Sequence, residues 1–242
     1  MPCLPGIGLE TTDKYTRKYI MQVCGKSYQA MIFDFDGVLA DSVEVKTDAF
    51  RQMFAPYGKE IQEKVVEHHR HHGGMTRKEK LVHYHKQFLG KDLTPARLSE
   101  LCDTFSSLVV QKVIAAPQIP GAEAFLNRCR AENILCFVDS ATPDDELARI
   151  VEQRGLSGYF EKILGSDRTK TRNLAWILET CDLLPSQCLF FGDAGSDREA
   201  ALACDMDFMG LVPDETAPLL QKYPDISWAK DFNQLMAGEC HG

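Results

Sequence analysis

The chain has 242 residues, of which 44% are apolar, and a formal net charge of −8. This length and composition can bury a sizeable core, either as one large domain or as one domain with an insert. The negative charge argues against nucleic acid or an anionic membrane as the main partner, and no apolar segment approaches the roughly 20 residues that span a bilayer.

The first segment, residues 1–28, is interpreted as an N-terminal extension. It has no long apolar stretch and carries several charged residues, so it does not have the pattern of a secretory signal. The nine cysteines of the chain show neither zinc-site nor redox-dithiol spacing. An odd number of cysteines without a pattern is typical of a reducing compartment, so we expect a cytoplasmic protein.

The next segment, residues 29–42, contains a predicted buried strand from Ala30 to Phe33 that ends at two carboxylates. Asp34 and Asp36 are two residues apart, so in an extended chain their side chains start on the same side. Gly37 lets the chain turn away directly after them. Two close carboxylates repel each other and favour a cation or a shared proton, as carboxylate-based phosphoryl transfer requires.

Residues 43–116 have helical periodicity and no convincing strand, which indicates an inserted helical cap. Its clearest helix is opened by Thr94 and Pro95, after which apolar residues recur from Leu98 to Val109 at helical spacing. Pro117 and the Pro120-Gly121 pair mark the return to the core.

From Ile134 onward, short apolar runs alternate with amphipathic helices, as in a parallel sheet covered by helices. Thr142 is predicted to cap a helix whose first residue is Pro143. The predicted fold is α/β, with a Rossmann-like core formed by residues 29–42 and 117–242. Polar groups follow the strand ends, where the ligand crevice of an open α/β sheet lies. Further strands are predicted at residues 134–138, 162–164, 188–191 and 207–212.

Four motifs in this order resemble those of the haloacid dehalogenase-like hydrolases, a superfamily dominated by magnesium-dependent phosphatases. Asp34-Phe35-Asp36-Gly37-Val38 resembles the first motif and Ser140, after its strand, the second. Lys170 stands where the family places its phosphate-binding lysine. The run from Gly192 to Asp197 resembles the fourth motif. A helical insert directly after the first motif is similar to the beta-phosphoglucomutase and phosphoglycolate phosphatase branch.

The resemblance implies a chemical role for each matched residue. Asp34 attacks phosphorus to form an aspartyl-phosphate, while Asp36 protonates the leaving oxygen and then deprotonates the hydrolytic water. Mg²⁺ offsets the phosphoryl charge. The implied metal-binding residues are Asp34, Asp36 through its backbone carbonyl, Asp193 and Asp197, the last of which orients Lys170 or binds a metal-bound water. The implied phosphoryl-binding residues are Ser140, Lys170, Gly37, Ala141 and Thr142.

The cap segment Gly73-Gly74-Met75-Thr76-Arg77 is similar to a substrate-binding loop of beta-phosphoglucomutase. By this resemblance Arg77 contacts a distal phosphate or other anionic group of the substrate. A solvated charge at a helix start is the alternative.

Simpler structural roles stay open for several of these residues. Ser140 could be a turn residue, Lys170 could face solvent and Asp197 could pair with a helix dipole. Asp139 could pair with Lys170 or face the cleft. The run from His68 to His72 invites a metal-site interpretation, but no carboxylate or cysteine completes a ligand set, so a polar helix end is favoured.

The function indicated by these residues is magnesium-dependent hydrolysis of a small phosphorylated metabolite: a sugar phosphate, a sugar-acid phosphate or phosphoglycolate. Asp36 argues against dehalogenation, because halide leaves without a proton whereas an alkoxide does not. The alternatives are a phosphomutase, a phosphonatase that forms a Schiff base at Lys78 or Lys80, and a catalytically silent binding protein. The sequence leaves the oligomeric state open.

Overall fold

The computed structural model describes residues 19–241. Part of the interpreted N-terminal extension, residues 1–18, therefore lies outside the described residues. The described chain contains a two-stranded hairpin and a six-stranded sheet. The strands are β1 (Met21–Val23), β2 (Lys26–Tyr28), β3 (Ala30–Phe33), β4 (Leu135–Asp139), β5 (Lys162–Leu164), β6 (Cys188–Gly192), β7 (Asp207–Leu211) and β8 (Trp228–Ala229).

All neighbouring strands of the large sheet are parallel, in the order β5-β4-β3-β6-β7-β8. Strands β3, β4 and β6 are buried along their whole length, as is typical of a parallel sheet with both faces covered. The α/β class with a helical cap, predicted from the sequence, is confirmed.

The described residues form ten α-helices, which cover the sheet and make up the insert. They are α1 (Val43–Phe54), α2 (Lys59–His71), α3 (Arg77–His83), α4 (Pro95–Ala115), α5 (Ala122–Ala131), α6 (Asp144–Gln153), α7 (Lys170–Cys181), α8 (Gly195–Ala203), α9 (Pro218–Lys222) and α10 (Phe232–Met236).

The central strand β3 divides its side chains between two layers of the core. Phe33 stacks on Phe191 with ring centroids 5.1 Å apart and also contacts Phe125 of α5 and Phe232 of α10. Ile32 points to the other face, into the cluster formed with α7 and α8. Because both faces hold the strand, the residue that follows it starts from a fixed position.

The insert packs around its own aromatic core. The rings of Phe50 and Phe105 lie 4.5 Å apart, and Tyr84 meets Phe50 edge to face. Helix α4 begins as predicted, with the Thr94 hydroxyl accepting a hydrogen bond from the Arg97 amide and a proline at the first helical position. Helix α3 begins with a capping box formed by Thr76 and Glu79.

The hairpin of β1 and β2 packs onto the sheet domain. Its turn, Cys24-Gly25, has positive φ at both residues, as a tight hairpin turn requires. Met21 and Tyr28 are buried in the main core, and the Tyr28 hydroxyl donates to Asp207 at 2.8 Å. The described end of the interpreted extension is therefore part of the folded core.

Cys24 of the hairpin is disulfide-bonded to Cys240 near the other end of the chain, with Cα atoms 6.2 Å apart. The cysteine pattern of the sequence predicts a reducing compartment, and this pair differs from that prediction. The two cysteines are 216 residues apart in the sequence, so no local spacing pattern could indicate that they pair. The fold alone brings the two thiols together. No helix among residues 19–241 is both long and apolar enough to cross a membrane.

Candidate active site

The candidate site lies at the carboxyl edge of the three central strands. Asp34 follows β3, Ser140 follows β4 and Asp193 follows β6, and these strands are neighbours in the sheet. Gly37, with φ of 81°, lies so close to Asp193 that a Cβ atom there would collide with the carboxylate. Gly37 is therefore required both for its backbone conformation and for the close approach of Asp193.

Three predicted metal-binding side chains come together at this edge. Asp34, Asp193 and Asp197 each place a carboxylate oxygen within 4.8 Å of the others. Burial, followed by the charges of Asp197 and Asp36, raises the pKa of Asp34 to about 7 against the lowering effect of Lys170. Burial and the neighbouring Asp34 also raise the pKa of Asp193. Buried carboxylates with too little positive charge favour a bound cation, and an all-oxygen donor set fits a hard cation such as Mg²⁺.

Lys170 supplies the main positive charge beside the cluster. Its Nζ lies 3.1 Å from Asp34 Oδ1 and 3.0 Å from Asp197 Oδ1, and it donates to the backbone carbonyl of Asp139 at 2.5 Å. Burial alone would lower the pKa of Lys170, but Asp197, Asp34 and Asp139 together raise it. The alternative in which Lys170 faces solvent is wrong, since this ammonium is buried against the nucleophile candidate.

Asp197 combines the two roles considered for it. One oxygen accepts a hydrogen bond from the Ala194 amide at 3.0 Å at the start of α8, and the other pairs with Lys170. It therefore holds the helix start and positions the lysine.

Asp36 is held apart from the acidic cluster by a separate set of partners. Its side chain forms an ion pair with Lys46 of the cap helix α1 and accepts from Ser42 Oγ at 2.6 Å. Burial would raise the pKa of Asp36, but Lys46, Ser42 and Thr142 lower it. The side chain of Asp36 is not part of the group of three carboxylates that could hold a metal ion, consistent with a backbone-only role toward a cation.

Lys46 is a site residue that the sequence analysis missed. It lies within the first turns of α1 and belongs to none of the four motifs. Its Nζ also donates to Thr142 Oγ1 at 2.8 Å. The prediction that Thr142 caps the next helix is wrong: α6 begins at Asp144 without a side-chain cap, and the Thr142 hydroxyl faces Lys46 and Asp36 instead.

The turn after β4 is held by its own side chains. Ser140 Oγ accepts a hydrogen bond from the Thr142 amide at 3.2 Å, across the intervening Ala141. Ser140 therefore has the turn role, and it lies at the same edge of the sheet as Asp34. Asp139 does not face the cleft: Asn173 donates to Oδ1 at 2.8 Å, and burial raises the pKa of this carboxyl to about 6.

Arg77 lies at the contact between cap and core. It is buried, and its guanidinium binds Glu146 of α6 with two hydrogen bonds of 2.6 and 3.1 Å while also donating to Ser106 Oγ at 2.6 Å. The solvated alternative is therefore wrong. A role in binding a substrate anion stays a prediction, and it would require Arg77 to leave Glu146.

The cap loop rests directly on the catalytic loop of the core. A Cβ atom on Gly74 would collide with the Ser196 side chain, and one on Gly73 would lie 3.1 Å from Ala194 Cβ. Together with the Arg77–Glu146 ion pair, this contact joins the helical insert to the core beside the site.

We expect Arg77→Ala and Glu146→Ala each to weaken cap closure, because each leaves the opposite charge buried without its partner. Turnover should fall about tenfold or more on all phosphate esters alike, since the ion pair acts on closure and not on one substrate group. A double-mutant cycle on kcat/KM measures this, and the double variant should lose much less than the sum of the two single losses. Strictly additive losses would contradict a joint role of Arg77 and Glu146 in cap closure.

The histidine run forms a stack on the cap. The ring of His68 lies 4.0 Å from that of His72 and 4.2 Å from that of His83. Within the described part of the chain, the three aspartates are the only group of three or more acidic, histidine or cysteine side chains that could hold a metal ion. This supports the interpretation of the run as a helix end.

The raised pKa of Asp34 predicts a pH-dependent stability. An acid whose pKa rises from 3.8 unfolded to about 7 folded favours folding below pH 3.8, and this contribution is lost as the pH rises through 7. We therefore expect metal-free wild type to lose more thermal stability between pH 5 and pH 8 than Asp34→Asn. Mg²⁺ should restore part of the loss at pH 8. Identical pH profiles for the two proteins would contradict the buried-carboxylate explanation.

An α/β core beneath a helical cap, with aspartates at adjacent strand ends, defines a class of hydrolytic enzyme. A sequence profile described as haloacid dehalogenase-like hydrolase matches residues 31–211, and the chain belongs to this family. The predicted family is thereby confirmed, as is the prediction that the chain is an enzyme.

Named relatives and solved structures give points of comparison. A phosphoglycolate phosphatase of Psychrobacter arcticus is 26% identical, with 76% of this chain and 83% of the relative covered. A phosphorylated carbohydrates phosphatase of Thermotoga maritima is 24% identical, with 74% of this chain and 82% of the relative covered. The solved structure of beta-phosphoglucomutase from Clostridium difficile superposes with a TM-score of 0.70, at 20% identity over 86% of this chain and 93% of that one. This last likeness shows the fold.

Proposed function

We propose that this enzyme is a magnesium-dependent phosphatase that hydrolyses a small phosphorylated metabolite through an aspartyl-phosphate. The observation that carries the proposal is the position of Asp34, which lies 3.1 Å from the ammonium of Lys170 and has a carboxylate oxygen within 4.8 Å of those of Asp193 and Asp197. A bound Mg²⁺ would be held by Asp34, Asp193, Asp197 and the Asp36 carbonyl, and would offset the charge of the phosphoryl group.

The protein residues divide the reaction between them. An Asp34 oxygen attacks phosphorus while the bond to the leaving oxygen breaks, and that oxygen takes a proton from Asp36. Asp36 then takes a proton from the water that attacks the aspartyl-phosphate, which releases phosphate and restores Asp34. Lys170 neutralises the transferring oxygens, and Ser140 with the amides that follow it donates to them.

Asp36 must change partners during this cycle. In the structure Asp36 is paired with Lys46, which favours the ionised carboxylate. To act as the acid it must carry a proton and face the leaving oxygen, so binding of the ester has to replace the contact with Lys46.

The relatives support a small substrate. The Psychrobacter protein is named for phosphoglycolate and the Thermotoga protein for phosphorylated carbohydrates, and both have a length similar to that of this chain. The test is a panel of phosphoglycolate, sugar phosphates and sugar-acid phosphates with Mg²⁺, in which phosphate release is measured. Absence of release from every member would contradict the proposal.

We further propose that residues 43–116 move as the cap, relative to a core of residues 29–42 and 117–242. The two crossings, where the chain passes from the core into the cap and back, lie side by side, with the Asp41 amide donating to the Pro117 carbonyl at 2.9 Å. Neighbouring crossings of this kind can act as one hinge.

A further inference from the structure

Lys80 of the cap is a buried ammonium group without an acid partner. Its side chain is 2% exposed, and its Nζ contacts His69 Nδ1 at 2.7 Å and the Gly73 carbonyl at 3.3 Å. No carboxylate among residues 19–241 lies within ion-pair distance of it. A buried charge is costly unless it is paired, so a cation in this position requires explanation.

The hydrogen bonds around Lys80 leave donors unused. An ammonium has three N–H groups, and the imidazole and the carbonyl accept two of them. Burial, followed by the charge of Lys80, lowers the pKa of His69 to about 2, so its ring is neutral. Since Nδ1 accepts from Lys80, the proton of that ring is on Nε2, which is also buried without a partner. The pair therefore has spare donors and no free acceptor, as an anion site requires.

Lys80 is also placed next to the catalytic groups. The carbonyl that it contacts belongs to Gly73, where an added Cβ atom would lie 3.1 Å from the Cβ atom of Ala194, the residue after Asp193. Burial and the positive charge of Lys46 lower the pKa of Lys80 to about 7, while Asp193 and Asp36 oppose this. Lys46 of the cap and two carboxylates of the site, Asp193 and Asp36, therefore all act electrostatically on this amine. An anion bound between cap and core would relieve the repulsion between the two lysines.

Arg77, which the sequence predicts to bind a substrate anion, already forms an ion pair with Glu146. We propose that Lys80 is the specificity residue that binds a second anionic group, a carboxylate or a second phosphate, on the substrate whose phosphoryl group reacts at Asp34. This inference rests on the proposed phosphatase function. The substrate enters when the cap loop lifts from Ala194 and Ser196, and its anion completes the buried pair when the loop returns.

The same amine could instead attack a substrate carbonyl, since a buried lysine with a lowered pKa is a competent nucleophile. In that reaction the amine nitrogen bonds to the carbonyl carbon and water leaves, giving an imine that borohydride reduces to a stable amine. Trapping with phosphonoacetaldehyde and borohydride therefore separates the two roles. Anion recognition predicts no adduct, and a stable adduct at Lys80 would overturn it.

The main test compares Lys80→Met with Lys78→Met in the full-length protein. Lys78 lies on the same helix and is exposed, so its loss serves as the matched control. The substrates are 2-phosphoglycolate, fructose 1,6-bisphosphate and p-nitrophenyl phosphate, the last of which carries no second anion. We expect Lys80→Met to lower kcat/KM about ten- to a hundredfold on at least one of the first two, mainly through KM. The loss on the aryl phosphate should be at least tenfold smaller. Lys80→Arg should recover part of the activity.

Equal losses on all three substrates, or no loss on any, would overturn the proposal. A binding measurement keeps it separate from the proposed function. In the Asp34→Asn background, calorimetry with 2-phosphoglycolate and with fructose 1,6-bisphosphate should show weaker binding of at least one of them when Lys80→Met is added. Unchanged affinity for both would overturn the proposal, whether or not the wild type hydrolyses either compound. If no ester is hydrolysed but affinity falls, the phosphatase function fails and the anion site stands.

Discussion

Asp34→Asn is expected to abolish turnover, with kcat lower by about 10⁴-fold or more, while the protein still folds. The substitution removes the ionised oxygen that attacks phosphorus and changes the side-chain volume little. It also removes a buried charge whose pKa is raised by burial, so thermal stability near neutral pH should not fall. Phosphate release and thermal denaturation of the same preparation check both parts.

Asp36→Asn is the companion variant. It keeps the nucleophile but removes the proton donor and base, so phosphorylated Asp34 should accumulate and be visible by mass spectrometry with an activated ester. Ser42→Ala provides a matched control, because it loses only one hydrogen bond to Asp36 and should retain most activity. Full activity in Asp34→Asn would rule out the proposed chemistry altogether.

The parts of the site that could be predicted from the sequence are those fixed by the strands. Asp34 directly follows a short apolar run, and Ser140 and Asp193 each come two positions after the last residue of theirs. Once those runs are parallel neighbours, the residues after them must meet at one edge of the sheet. The helices of the cap were predictable for a similar reason, because the apolar periodicity and the Thr94 start are local properties of the chain.

The contacts that the sequence could not predict join residues whose pairing depends on how the cap sits on the core. Lys46 forms an ion pair with Asp36, and Arg77 forms one with Glu146. In neither pair do the two residues belong to one motif or one helical repeat of the sequence. Thr142 shows the same limit, since a threonine before a proline is a good helix cap until a nearby lysine competes for its hydroxyl. Long-range pairs of this kind decide which charge is free to bind substrate. The sequence pattern alone therefore indicates Arg77 as the residue that binds a substrate anion, and Lys80 only as a lysine that could form an imine.

Removal of divalent metal is expected to reduce activity to background, and Mg²⁺ to restore it. Asp34, Asp193 and Asp197 form a buried acidic group that Lys170 alone does not neutralise, since the pKa values of both Asp34 and Asp193 are raised. An incoming phosphate dianion would meet further repulsion there. We therefore expect a cation to be required for the phosphoryl group to approach Asp34, and activity in the presence of excess EDTA measures that requirement.

Asp193→Ala should then raise the Mg²⁺ concentration needed for half-maximal activity at least tenfold, because it removes one of the few carboxylates available to the cation. It should also relieve repulsion within the metal-free cluster, so that metal-free Asp193→Ala is no less stable than wild type at pH 8 even as its activity falls. This opposite change in stability and activity distinguishes a metal-binding carboxylate from one that supports the fold. His68→Ala is the control for the histidine stack and should leave the Mg²⁺ requirement unchanged. Activity that survives in chelator but disappears in His68→Ala would move the metal site to the histidines and away from the strand ends.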